Sequence, residues 1–368
     1  MKTVRRAFMA RSAAWAAGAL TVPAVHSAPA TRSPIFNPQP GEWRRFQVQT
    51  RIQVLDPQGT TRLWVPLGSI ESEWQRTTDV TWKTVGQARA LQDATQGIKL
   101  LSVTFDATDQ APTLELTETI RVKSRAVVWN QPNGAELSSQ ERAYWTRGTR
   151  WLPTDGIVRE TARLAVGGAS TDVAKTRAIF DWVIQNAFRD QAVKGCGLGD
   201  IKSMLESQRL GGKCADLNAL FVGLCRAAGV PARDVYGLRL APSAFGYKQL
   251  GGKSANLSGA QHCRAEVFLS RYGWVAMDPA DVTKVMRAES DEWIRHPQHP
   301  LVAPVARALF GQWEGNWMGY NTAHDVVLPG GDGRAEPFVM YPMGMTGDRP
   351  LNHYSPSEFK YDIRALEI

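Results

Sequence analysis

The chain has 368 residues, long enough to bury a large core and to hold two domains. Hydrophobic residues make up 43% and charged residues 21%, which excludes a disordered chain. The formal net charge of +8 comes without a run of Lys and Arg of the kind that grips phosphates, so nothing here supports nucleic-acid binding.

Residues 1–30 read as an export leader. Arg5-Arg6-Ala7-Phe8-Met9 has the form of a twin-arginine start, Ala13 to Val25 is a run of small apolar residues, and a cleavage site is expected after Val25-His26-Ser27 or Ala28-Pro29-Ala30. That run is too short to span a bilayer, and no later stretch reaches the roughly 18 apolar residues that a spanning helix needs. The expectation is a periplasmic protein with no integral membrane segment after the leader is removed. Without Lys2, Arg5, Arg6 and Arg11 the rest carries 39 basic against 35 acidic residues, a mildly basic balance.

Residues 31–41 are Pro-rich and polar, a linker. Residues 42–130 read as β structure. Phe46 to Val54, Leu63-Trp64-Val65, Leu101 to Phe105 and Leu114 to Val122 alternate with period two, and Pro, Gly and Asp clusters separate them. Short strands without helix patterns predict a β-sandwich-like domain. Residues 130–160 are a crossing, with Pro132-Asn133-Gly134 and Pro153-Thr154-Asp155-Gly156 as turns. A helix follows from about Thr171, an N-cap, and a shorter one after Asp200.

The next stretch, Gly211-Gly212-Lys213-Cys214-Ala215-Asp216-Leu217, turns sharply and opens a helix near Cys214. Leu217, Leu220, Phe221, Leu224 and Ala228 mark one buried stripe, and Gly229-Val230-Pro231 ends the helix. A thiol at a helix N-terminus meets the positive end of the dipole and unpaired N–H donors, which favour thiolate. Taken alone, the helix is equally consistent with a cysteine that merely fills the core. Asp234 to Leu240 reads as a strand. The Gly- and Ser-rich loop 241–260 reads as a mobile flap; its Gly251-Gly252-Lys253-Ser254 lacks the spacing of a phosphate loop.

Residues 262–278 then predict a β-hairpin about a Ser-Arg-Tyr-Gly turn, stopped by Pro279. A hairpin brings the start of its first strand and the end of its second to the same edge, so His262 and Asp278 meet. With the Cys214 helix across that sheet, thiol, imidazole and carboxylate fall in the order of a nucleophilic triad. The C-terminal residues 286–368 hold many aromatics and an alternating strand at Phe359 to Ile363, and are expected to pack back on the core. His296 and His299 lack an evident third metal ligand, and no oxygen-rich loop suggests calcium; neither metal nor cofactor is expected.

These segments resemble the transglutaminase-like superfamily core, whose motifs run G-x-C-x-D, H-x-x-x-E and G-W-x-x-x-D-P. They stand here as Gly212-Lys213-Cys214-Ala215-Asp216, His262-Cys263-Arg264-Ala265-Glu266 and Gly273-Trp274-Val275-Ala276-Met277-Asp278-Pro279. The resemblance implies an α+β fold, an N-terminal β-sandwich-like domain followed by a papain-like cysteine core over residues 150–285. It implies Cys214 as nucleophile, His262 as base and Asp278 as its partner, acting on amide bonds of a peptide or protein substrate, a cell-wall peptide among the candidates. Hydrolysis and crosslinking both stay open. Arg264 departs from the Trp that many relatives carry there, which bears on the shape and charge of the cleft. Gln208, six residues before Cys214, has the spacing of a papain-type oxyanion glutamine, but a surface role fits it better. A papain-type cysteine peptidase is the near alternative, although its histidine usually lies far later in the chain. A non-catalytic binding module that keeps the fold is the alternative of another class. Of the other cysteines, Cys225 reads as core, Cys263 as facing away from the cleft, and the pairing of Cys196 is open.

Overall fold

The computed structural model describes residues 35–355 and 357–368; the expected leader at 1–30 lies outside them. In chain order, β1 (Arg44–Val54), β2 (Thr61–Leu67), β3 (Gln75–Thr84), β4 (Gln87–Gln92), β5 (Lys99–Phe105) and β6 (Thr113–Val122) come first. They are followed by α1 (Ser139–Thr146), α2 (Gly156–Val166), α3 (Asp172–Asn186), α4 (Ile201–Glu206) and α5 (Cys214–Ala227). Next are β7 (Ala232–Arg239), β8 (Gln261–Leu269), β9 (Gly273–Met277), α6 (Pro279–Ala288) and α7 (Ala303–Ala308). The last long strands are β10 (Trp317–Asn321), β11 (Met343–Thr346) and β12 (Phe359–Glu367).

Period-two alternation makes one face of each early strand apolar, and two such faces bury each other. One antiparallel sheet runs β12-β1-β6-β3; the other runs β11-β2-β5-β4, with Arg349–Pro350 on its outer edge. Ile52 and Val54 of β1, Leu63 and Val65 of β2, and Leu114 and Leu116 of β6 meet in one apolar cluster between the sheets. The result is a β-sandwich. Strands β3 and β4 were not anticipated, because their side chains are mostly exposed and carry no apolar alternation.

The C-terminal segment divides between the two halves of the molecule. Strand β10 joins β7 in the core sheet, whereas β12 pairs along most of β1 from Phe46↔Glu367 to Val54↔Phe359, and β11 pairs with β2. The alternating Phe359 and Ile363 supply the apolar face that β1 needs beside it, and both are buried. The chain therefore returns to close the sandwich as well as to cover the core. Phe36, in the stretch read as linker, is buried edge-on against Phe245 and Tyr247.

The core is an antiparallel sheet, β9-β8-β7-β10, with α5 laid on β8 and α2, α3, α4 and α6 around it. Twelve of the 14 residues of α5 are buried, so this helix is wrapped on nearly all sides, where a single stripe was expected. Its C-terminus follows the sequence rule: Gly229 takes φ +79°, and Val230 N–H bonds the Cys225 carbonyl at 2.9 Å. Thr171 Oγ1 accepts from Ala174 N–H and caps α3 as predicted; α4 starts after Asp200 as expected, with Asp200 Oδ1 accepting from Ser203 N–H. Within the expected crossing 130–160, α1 forms without a single buried residue. It is held by a capping box between Ser138 and Glu141, a local device that apolar periodicity does not reveal.

Candidate active site

Cys214 is the first residue of α5, and its position is built by the residues just before it. Asp216 turns back to accept from Lys213 N–H at 2.9 Å through Oδ2, and from Leu198 and Gly199 N–H at 2.9 Å through Oδ1. The carboxylate thus pins the 195–199 loop to the helix start. A Cβ at Gly197, where φ is +90°, would collide with that carboxylate, so the loop needs glycine there. Ala215 N–H bonds the Cys196 carbonyl at 2.9 Å, which brings Cys196 alongside Cys214.

His262 comes from the start of β8 and Asp278 from just past the end of β9. Ala265 lies opposite Met277, so Asp278 reaches diagonally along the hairpin to the imidazole. His262 Nε2–H donates to Asp278 Oδ2 at 2.7 Å, and Asp281 Oδ2 lies 3.4 Å from the same nitrogen. This leaves Nδ1 for the Cys214 thiol. Trp317 Nε1–H donates to the His262 carbonyl at 2.9 Å and steadies the strand there. The structure thus brings Cys214, His262 and Asp278 together, with Cys214 and His262 lining one cleft of about 570 Å³.

The neighbouring Cys196 and Cys263 thiols, and then the His262 imidazole, hold the Cys214 thiol well below its ordinary range against the opposing effect of burial. The neighbouring Cys214 pushes the Cys196 thiol up, and burial pushes Cys263 and Cys225 up. Only Cys214 among these four is biased toward thiolate. All four cysteines are free. Burial and Arg239 both work to lower the His262 pKa, yet Asp281 and Asp278 prevail and raise it to about 9. Cys214 and His262 therefore favour the thiolate–imidazolium pair.

The support around this pair was not evident from the sequence. Asn218, one turn after Cys214, donates from Nδ2 to the Cys263 carbonyl at 2.8 Å and to Asp278 Oδ1 at 3.2 Å. Its signal was a polar residue inside an otherwise apolar helix. Asp281, three residues past Asp278 in the first turn of α6, faces the imidazole and binds Arg239 Nη2 at 2.6 Å. His262, Asp278 and Asp281 offer ligand atoms within 4.8 Å of one another, but Arg239 and Arg264 already bring positive charge to the two carboxylates.

Arg264 does not enter the cleft. It is buried behind it, its guanidinium 4.6 Å from the Trp317 ring, with Nη1 donating to the Glu314 carbonyl at 3.2 Å. Glu266, the last residue of the second motif, lies at the far end of β8 between Arg125 and Arg233 and is a structural anchor. Gln208 is exposed, and neither it nor His296 nor His299 lines the cleft. Cys263 is absent from the cleft wall too, its Sγ 3.9 Å from Met340 Sδ. The loop read as a mobile flap does line the cleft, but it is tied down. Gly252 N–H bonds Ala241, Leu257 N–H bonds Ile363, and the Lys248 and Gln249 N–H groups bond Glu289.

A profile of the transglutaminase-like superfamily matches residues 159–279, which include α5 and the β8–β9 hairpin. An uncharacterized protein of Haemophilus influenzae is 34% identical over 356 residues, covering 92% of this chain and 95% of the relative. Among solved structures, a candidate cysteine protease of Cytophaga hutchinsonii superposes with a TM-score of 0.50 at 14% identity, covering 89% of this chain and 99% of that one. The periplasmic domain of TgpA from Pseudomonas aeruginosa gives a TM-score of 0.34 at 16% identity, covering 66% and 90%. No helix among the described residues is long and apolar enough to cross a membrane. From the profile match over the cysteine helix and hairpin, and from a relative aligned along nearly its whole length, the chain belongs to the transglutaminase-like superfamily.

Proposed function

We propose that the protein is a thiol enzyme that acts on amide bonds of a peptide or protein substrate, exported to the periplasm by the twin-arginine leader at residues 1–30. The observation that carries this reading is a single imidazole held by Asp278 through Nε2 in the same cleft as the thiol at the start of α5, close enough to lower that thiol's pKa. The Cys214 thiolate attacks the amide carbonyl carbon, and the carbonyl oxygen takes up the electron pair. The Lys213 and Ala215 N–H groups are already engaged, by Asp216 and Cys196, whereas Cys214 N–H has no acceptor among the described residues and is free to meet that oxyanion. The His262 imidazolium gives its proton to the leaving nitrogen as the C–N bond breaks, leaving a thioester on Cys214. His262, now neutral, removes a proton from water or an incoming amine, which attacks the thioester carbonyl and expels the Cys214 thiolate, restoring the thiolate–imidazolium pair. Asp278 and Asp281 stabilise the imidazolium through both half-reactions.

Alkylation with iodoacetamide across a pH series tests the nucleophile. At pH 6 an ordinary thiol is only a few tenths of a percent ionised, at about 0.3%. Cys214 is expected to be modified selectively there, with its reactivity changing again as pH rises through about 9 and the imidazolium loses its proton. Cys214→Ala should lower turnover of peptides from a periplasmic extract by at least about a thousandfold, read by mass spectrometry. A Cys214 that reacts only as an ordinary thiol, together with turnover unaffected in Cys214→Ala, overturns the proposal.

A further inference from the structure

The cleft beside Cys214 has an uneven charge. Besides Arg239, which Asp281 engages, four cationic side chains line it from separate segments: Arg189 after α3, Lys213 at the start of α5, Lys253 in the 241–260 loop, and Lys284 on α6. No carboxylate lies within 4 Å of any of their charged nitrogens among the described residues, and no Asp or Glu lines the cleft. The nearby acids are already engaged, Asp278 by His262 and Asp281 by Arg239; Asp281 also acts on Lys284 from beyond contact distance, and neither reaches Arg189, Lys213 or Lys253. The chain places four charges around a reactive sulfur and pairs none of them with a carboxylate at contact distance; Lys284 Nζ donates to the Gln249 carbonyl at 2.7 Å. Such clustering is costly in self-repulsion unless a ligand completes it.

A second observation points the same way. Gln261, adjacent to His262 and 7% exposed, lines the cleft with an Nε2 that has no hydrogen-bond acceptor among the described residues. A buried amide donor left unpaired is an unfavourable feature of a resting protein and a ready contact for a bound oxygen. A spare N–H donor beside four cations that lack a carboxylate partner forms a surface for oxygen anions distributed along a chain.

Resting on the function proposed above, we infer that the cleft takes a peptide whose residues next to the reacting amide carry free carboxylates, with Arg189, Lys213, Lys253 and Lys284 as the groups that select it. These residues are specificity determinants; they do not take part in bond making. Acidic peptides are drawn to the sulfur, and neutral or basic ones are not.

Two small alkylating agents test this on the full-length protein. Iodoacetate and iodoacetamide transfer the same carbon to Cys214 and differ in charge, so the ratio of their rates, relative to the ratio for N-acetylcysteinamide, reports the field at the sulfur. The ratio at pH 6 is expected to exceed the reference by about tenfold or more. It should collapse as salt is raised from about 0.01 M to about 1 M, where the screening length shrinks from about 30 Å to about 3 Å. The His262 imidazolium contributes to the same field, so the rim is read from variants. Lys253→Gln, at an exposed position, and the double variant Arg189→Gln/Lys253→Gln should each lower the ratio, the double by at least about threefold. A ratio that both variants leave unchanged, while iodoacetamide still modifies Cys214 at pH 6, overturns the inference and leaves the nucleophile standing. Failure of both reagents at Cys214 overturns the inference together with the proposed chemistry.

Discussion

Strands β1 and β8 are both antiparallel and both interior to their sheets, yet they treat charge in opposite ways. On β1 burial alternates along the strand, and its Arg51 stands in water opposite Glu115, the two side chains 59% and 52% exposed. On β8 all nine residues are buried, including His262, Arg264 and Glu266 on one face. There each charge is matched: His262 by Asp278, Arg264 by Asp278 and the Glu314 carbonyl, and Glu266 by Arg125 and Arg233. A strand facing water can hold charges loosely. A strand covered on both faces must compensate each one, and that requirement is what builds a preorganised site around His262.

The sharpest test of this contrast is Glu266→Gln. It removes the carboxylate from between two arginines, of which Arg233 Nη2 lies 2.6 Å away. A loss of about 3 kcal/mol in unfolding free energy is expected from urea denaturation, at the low end for a broken buried pair because both arginines keep some contact with water. Iodoacetamide labelling of Cys214 should persist in this variant, since Glu266 does not line the cleft. A cost no larger than that of a surface pair would break the comparison.

Glu118 brings the buried situation into the sandwich. Its carboxyl is 1% exposed on β6 and accepts Gly68 N–H at 2.9 Å; burial, partly offset by that bond, raises its pKa from 4.5 to about 7. A raised carboxyl pKa means that the folded state holds the proton more tightly. Its contribution to stability is full below about pH 4.5 and is lost as pH rises through about 7. Between pH 5 and pH 8 the native protein should therefore lose about 2 kcal/mol more than Glu118→Gln, measured by urea midpoints at each pH. Parallel curves for the two proteins would show that this carboxyl is not desolvated.

The smallest effect belongs to β1 itself. Arg51→Gln removes an exposed cross-strand pair and should cost about 0.2–1 kcal/mol, vanishing in high salt. A larger cost that survives salt would mean that the outer face of the sandwich is covered by something else.

Local rules accounted for much of what was legible beforehand. The cap at Thr171, the start of α4 after Asp200, the helix end at Gly229-Val230-Pro231, the alternating strands β1, β2, β5 and β6, and the hairpin that carries His262 toward Asp278 all follow from interactions within a few residues. Strands β3 and β4 and helix α1 left little trace, because exposed residues are under no demand to be apolar.

By itself the sequence determined the cysteine helix, the hairpin and the alternating strands, since spacing, turn residues and caps act over one or two turns of chain. Only the tertiary structure decided that β12 returns across more than 300 residues to pair with β1, that Arg264 stacks behind the cleft, and that Asp281, Asn218 and Cys196 gather around His262 and Cys214. The physical reason is that a buried charge or thiol takes its meaning from whatever packs against it, and those partners come from distant parts of the chain.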